Sequence, residues 1–162
     1  LNLSDDNRPV IAAARKRADS TGAPAAAAQL PNGDLITGKT SSLLGASSAL
    51  LLNCLKAMAN IPRNEKLIPP EVIGPIQDLK LNYLGNSNPR LHTDEVLVAL
   101  SITAATSEKA TLALSQLPQL KGCEVHTSVI LSEVDENIFR RLGVNLTCDP
   151  VYQSRRLYHK GR

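Results

Sequence analysis

Leu30-Pro31-Asn32-Gly33-Asp34-Leu35-Ile36-Thr37-Gly38-Lys39-Thr40-Ser41-Ser42 is the stretch on which the fold turns. Asn32-Gly33 between the apolar runs Ala25 to Leu30 and Leu35 to Thr37 is a hairpin signal, because both residues tolerate the positive φ that a tight turn requires. The hydroxyls of Ser41 and Ser42 are placed to cap the helix that follows. That helix is expected to run to about Asn60. Leu43, Leu44, Leu50, Leu51, Leu52, Leu55 and Met58 spread round most of its circumference, the pattern of a largely buried helix. Gly45-Ala46-Ser47-Ser48-Ala49 presents small side chains that let another backbone approach.

Outward from this centre the periodicities are plain. Pro9 to Thr21 reads as a helix closed by Gly22, with Asp5, Asp6 and Asn7 as cap candidates. Pro69-Pro70-Glu71 opens a helix toward Leu84 that Pro75 is placed to interrupt, and Gly85 closes it. Thr93 is the expected cap of a helix with Asp94 and Glu95 in its first turn, and Ser107 of a shorter one ending before Pro118. Cys123 to Leu131 alternates Cys, Val, Thr, Val, Leu against Glu, His, Ser, Ile, a half-buried strand with His126 on its exposed side. Asp135 to Leu142 reads as a helix, and Val144 to Cys148 as a last strand. The order α-β-β-α-α-α-α-β-α-β implies an α/β (or α+β) domain over residues 1–150, a small mixed β-sheet covered by helices.

Composition narrows the function. The 162 residues contain no Trp, three Tyr and one Phe, which leaves no aromatic platform for stacking bases, so no nucleic-acid partner is expected. The net charge of +3 arises in the tail 151–162, where Arg155, Arg156, Lys160 and Arg162 stand without an acid; the rest carries 14 basic against 15 acidic residues. Three Cys and no long apolar run suit a reduced, cytoplasmic protein with no membrane partner. The chain opens on Leu1, which suggests part of a longer protein.

Leu30 to Ala49, Tyr83-Leu84-Gly85-Asn86, Asn88 to Glu95, Leu120 to His126 and Leu142 to Cys148 together resemble the C-terminal part of a bacterial family, domain of unknown function 1846, also called uncharacterised protein family 0371. The resemblance spans nearly the whole chain. It implies a protein about three times as long, whose upstream part has a glycine-rich, phosphate-loop-like stretch. Some members are labelled ATP-dependent peptidases, but the His-Glu-x-x-His zinc-protease pattern is absent here. A hairpin leading into a buried helix, then strand-helix-strand, is also similar to the cytidine-deaminase-like architecture. The catalytic residues of that architecture have no counterpart here, since Gly45, Ala46 and Ser47 stand where its zinc-binding pair would be.

Gly33 to Thr40 matches the Walker A pattern letter for letter, yet Leu35 and Ile36 are strand formers in a loop that must curl round a phosphate. The smaller expectation is an anion or phosphate site at Gly38, Lys39, Thr40 and Ser41, at the mouth of the helix. A nucleotide or phosphate is its natural ligand, and no resident cofactor is expected. His92, Asp94 and Glu95 form a titratable cluster that can supply acid-base chemistry. Cys123, His126 and Cys148 are candidate metal ligands, but Cys123 and His126 are three apart on a strand and face opposite sides, so no metal is expected. Gly45 to Ala49 approximates a nucleophile elbow without the strand that must precede its serine. The leading functional expectation is a non-catalytic accessory or oligomerisation domain, its partner an upstream domain of the same protein or a second copy. The alternative is an enzyme half-site built on the anion pocket.

Overall fold

The computed structural model describes residues 8–152. Cap candidates Asp5, Asp6 and Asn7 and the basic residues of the tail lie outside them. Among the described residues, four strands form one mixed sheet in the order β2-β1-β3-β4. β1 (Ala25–Gln29) pairs antiparallel with both β2 (Leu35–Lys39) and β3 (Glu124–Thr127), and β3 pairs parallel with β4 (Asn145–Cys148). The hairpin expected at Asn32-Gly33 is present: Gly33 has φ 92°, Asn32 Oδ1 accepts from the Asp34 N–H at 3.0 Å, and Gln29 faces Leu35.

β1 is four alanines and a glutamine, and all four alanines are buried. Side chains alternate across a strand, so this run gives each face a small surface on which a helix can lie close. Ala27 packs with Val10, Ile11 and Ala14 of α1 (Pro9–Thr21) on one face. Ala26 and Ala28 join the main core on the other, with Leu50, Leu51 and Leu55 of α2 (Ala46–Met58). α4 (Thr93–Ala104), α5 (Glu108–Leu114) and α6 (Glu133–Leu142) add Leu100, Ala110 and Phe139 to that same core. β3 is therefore covered on both faces. His126, expected on the exposed side, is only 3% exposed.

Gly38 sets the distance between sheet and helix. It pairs with Ala26, and a Cβ on it would meet the Leu50 backbone nitrogen at 2.3 Å. The Walker-like glycine is thus a packing residue inside a strand, not part of a loop that wraps phosphate. α3 (Pro70–Asp78) continues through Pro75 rather than breaking there, then widens at Leu79–Tyr83 into a π-helical turn.

Candidate functional site

The chain between β2 and α2 is shaped by Ser41. Its hydroxyl accepts from the N–H groups of Leu43 and Leu44 at 3.3 and 3.1 Å, and its own N–H donates to the Leu44 carbonyl at 2.9 Å. Leu44 then forms a bridge to Leu91. These contacts delay the helix, which begins at Ala46 instead of Ser41 or Ser42. Its cap residue is Gly45, which has no side chain to accept a hydrogen bond. Ser48 Oγ donates to the Leu91 carbonyl at 2.9 Å, so the small-residue face does lie against another backbone.

A cavity of about 30 Å³ opens at this helix start, walled by Thr40, Gly45, Ala46, Ser47, Arg90, His92 and Asp135, with Thr127, Val129 and Leu131 on the sheet side. By the measure in which one water needs roughly 10–15 Å³, it holds two waters or one small polar group. Ser47 is 3% exposed, and its hydroxyl is buried without a hydrogen-bond partner. Arg90 is buried too, its Nε donating to the Ser41 carbonyl. Of the four residues expected to bind an anion, Thr40 alone borders the cavity. Gly38 is under α2, Lys39 is exposed at the strand end, and Ser41 is occupied by its turn.

The His92, Asp94 and Glu95 cluster is divided among folding contacts. His92, not Thr93, is the cap residue of α4. Glu95 Oε1 accepts from the His92 N–H and from Lys80 Nζ, both at 2.8 Å, while Lys80 also donates to the Arg90 carbonyl. Asp94 accepts from the Glu95 N–H. The partner of the His92 ring is Asp135 of α6, with Nδ1 and Oδ2 3.7 Å apart, longer than a hydrogen bond but within ion-pair range. Contact with Asp135 raises the His92 pKa against the opposing effect of burial. Burial alone would raise the Asp135 carboxyl, but the nearby His92 ring and the hydrogen bonds from Thr93 leave it below its usual value. Asp135 and Arg90 were not singled out by the sequence, and Ser47 drew notice only as a small packing residue and as the serine of an imperfect nucleophile elbow. Only the start of a helix marks Asp135, and nothing local marks Arg90.

The cysteine-histidine set is also dispersed into packing. Cys123 precedes β3 and is buried, and Cys148 stands beside Thr127 in the register of β4. His126 turns to the α1 face. Arg8 can only donate, and it donates to Thr147 Oγ1. That leaves the threonine hydrogen for His126 Nδ1 at 2.7 Å, and Nε2–H for Asp149 Oδ1 at 3.0 Å. Burial lowers the His126 pKa, and this arrangement suits the neutral ring. No group of three or more His, Cys, Asp or Glu that could hold a metal occurs among the described residues. Burial pushes the Cys54 thiol up to about 12, far from a nucleophilic thiolate at neutral pH.

Away from the cavity, the π-helical turn and the residue after it expose large apolar side chains. Leu79 is 48%, Leu81 38%, Tyr83 76% and Leu84 64% exposed. The turn is anchored by the buried Lys80, bonded to Arg90 and Glu95 as above. No helix among the described residues is long and apolar enough to cross a membrane.

The sequence profile for the C-terminal domain of unknown function DUF1846 matches residues 6–158. A UPF0371 protein of Streptococcus pyogenes serotype M5 is 52% identical over 160 residues, and one of Streptococcus uberis is 50% identical over the same length. Each alignment takes in 99% of this chain and 32% of the relative, so the chain spans about a third of the length of the curated relatives it matches. With the profile covering nearly every residue and relatives at half identity, the chain belongs to the DUF1846 family and represents its C-terminal domain.

Proposed function

We propose that this domain is a non-catalytic accessory unit, which docks its π-helical turn against the N-terminal remainder of the longer family protein. The observation that carries the reading is the exposure of Leu79, Leu81, Tyr83 and Leu84 within six residues, on a turn held in place by a buried lysine. Contiguous exposed apolar surface on a folded domain marks an interaction site. Relatives about three times as long supply an occupant in the same polypeptide. The distribution of His92, Asp94 and Glu95 among capping and ion-pair contacts favours this role over acid-base catalysis. The test is Tyr83→Asp with Leu84→Asp in the full-length protein. Limited proteolysis should cut between the two parts faster in the variant, while the domain itself stays folded by circular dichroism. Unchanged proteolysis refutes the docking surface; a dimer in light scattering that the substitutions dissociate assigns the surface to a second copy instead.

A further inference from the structure

We propose that the cavity at the N-terminus of α2 is a binding site for a small oxyanion, the phosphate-type or carboxylate group of a small molecule. This goes beyond the docking role and does not depend on it. Two independent features converge there.

The first is the helix end. Gly45 has no side chain with which to cap the helix, and the first turn has no acidic residue. Gly45, Ala46 and Ser47 all border the cavity. The cavity therefore lies at the positive end of the helix dipole, beside the residues of the cap and first turn, an arrangement that favours negative charge. α2 has thirteen residues, long enough for its dipole to develop.

The second is Ser47. Its hydroxyl is buried and makes no hydrogen bond to protein, although alanine would fill the same space without burying a polar atom. Its neighbour Ser48 shows what a structural serine does on this helix, spending its hydroxyl on the Leu91 carbonyl. A buried hydroxyl left without a protein partner is explained by something else that accepts from it. Arg90 adds a fixed positive charge to the wall, and Thr40 a further hydroxyl-bearing residue. Asp135 is the one carboxylate on the wall among the described residues. Its Oδ1 already accepts from the Thr93 N–H and hydroxyl and its Oδ2 faces His92, so its charge is partly compensated from the α4 side. The cavity's size limits the bound group to a single carboxylate or tetrahedral oxyanion, any larger ligand extending outward through the opening.

Isothermal titration of the chain with inorganic phosphate and, in a separate arm, acetate tests the assignment. Saturable binding of at least one is expected, and the two arms distinguish a tetrahedral from a planar group. Ser47→Ala should weaken it roughly tenfold, as loss of one hydrogen bond to a charged group implies. The same variant should unfold no more easily than the parent in ligand-free buffer, because it removes an unsatisfied hydroxyl. Ser47→Leu, which fills the cavity, should abolish binding. No saturable binding of either anion, or wild-type affinity in Ser47→Ala, overturns the proposal. So does a Ser47→Ala variant destabilised without ligand, since the hydroxyl would then be serving the fold.

Discussion

Asp135, near the start of α6, caps α4 across 42 residues of sequence: one carboxylate oxygen accepts from the Thr93 N–H at 2.9 Å and from its hydroxyl at 2.7 Å. Thr93 is fully buried, so neither donor has water as a substitute. Asp135→Ala is expected to cost about 1–3 kcal/mol, the penalty of stranding buried donors, whereas Asp135→Asn keeps an acceptor and costs less. Urea denaturation of both variants measures it. An alanine variant as stable as the parent would show that α4 does not depend on this cap.

Gly38 faces the backbone of α2, with no room for a methyl group. Gly→Ala in a strand ordinarily gains about 0.4–1 kcal/mol by restricting the unfolded chain. Here the added carbon would lie 2.3 Å from Leu50 N and 2.9 Å from the Ala46 carbonyl oxygen, and backbone cannot swing aside. Gly38→Ala should lose about 3 kcal/mol or fail to accumulate as folded protein, toward the upper end of overpacking costs. Exposed Lys39→Ala should stay within about 0.5 kcal/mol of the parent. Denaturation of the pair separates a packing glycine from a phosphate loop, and a neutral Gly38→Ala would contradict the observed approach.

His92 and His126 should pull stability in opposite directions with pH. His92, raised from 6.5 by Asp135, contributes fully below about pH 6.5, and that contribution is lost as pH rises through its folded value. His126, lowered from 6.5 by burial, imposes no penalty above about pH 6.5, and its neutral state is lost as pH falls toward its folded value. Stability of His92→Gln should therefore differ most from the parent near about pH 5 and least near about pH 8, and that of His126→Gln the reverse. Thermal or urea unfolding across this range decides it, and parallel profiles for the two variants would contradict the assignment.

The order of helices and strands was legible because it rests on local chemistry: Asn32-Gly33 for the hairpin, Gly22 for a helix end at φ 68°, Ser107 for a cap. Where a local signal had to compete with a distant partner it misled. Ser41 closes a turn held by Leu91 and Arg90 instead of capping α2, and His126 is buried on the face of the sheet that α1 covers, more than a hundred residues away in sequence.

By itself the sequence determined the family, the α/β class and the positions of the elements, since periodicity and turn chemistry act within a few residues. Tertiary structure alone decided which polar groups meet. Ser47, Arg90 and Asp135 come from three separate segments, and no spacing in the chain encodes their meeting. Whether a buried hydroxyl finds a partner depends on the space left when helices from different parts of the chain close over one sheet, a property of the packed core that no short window contains.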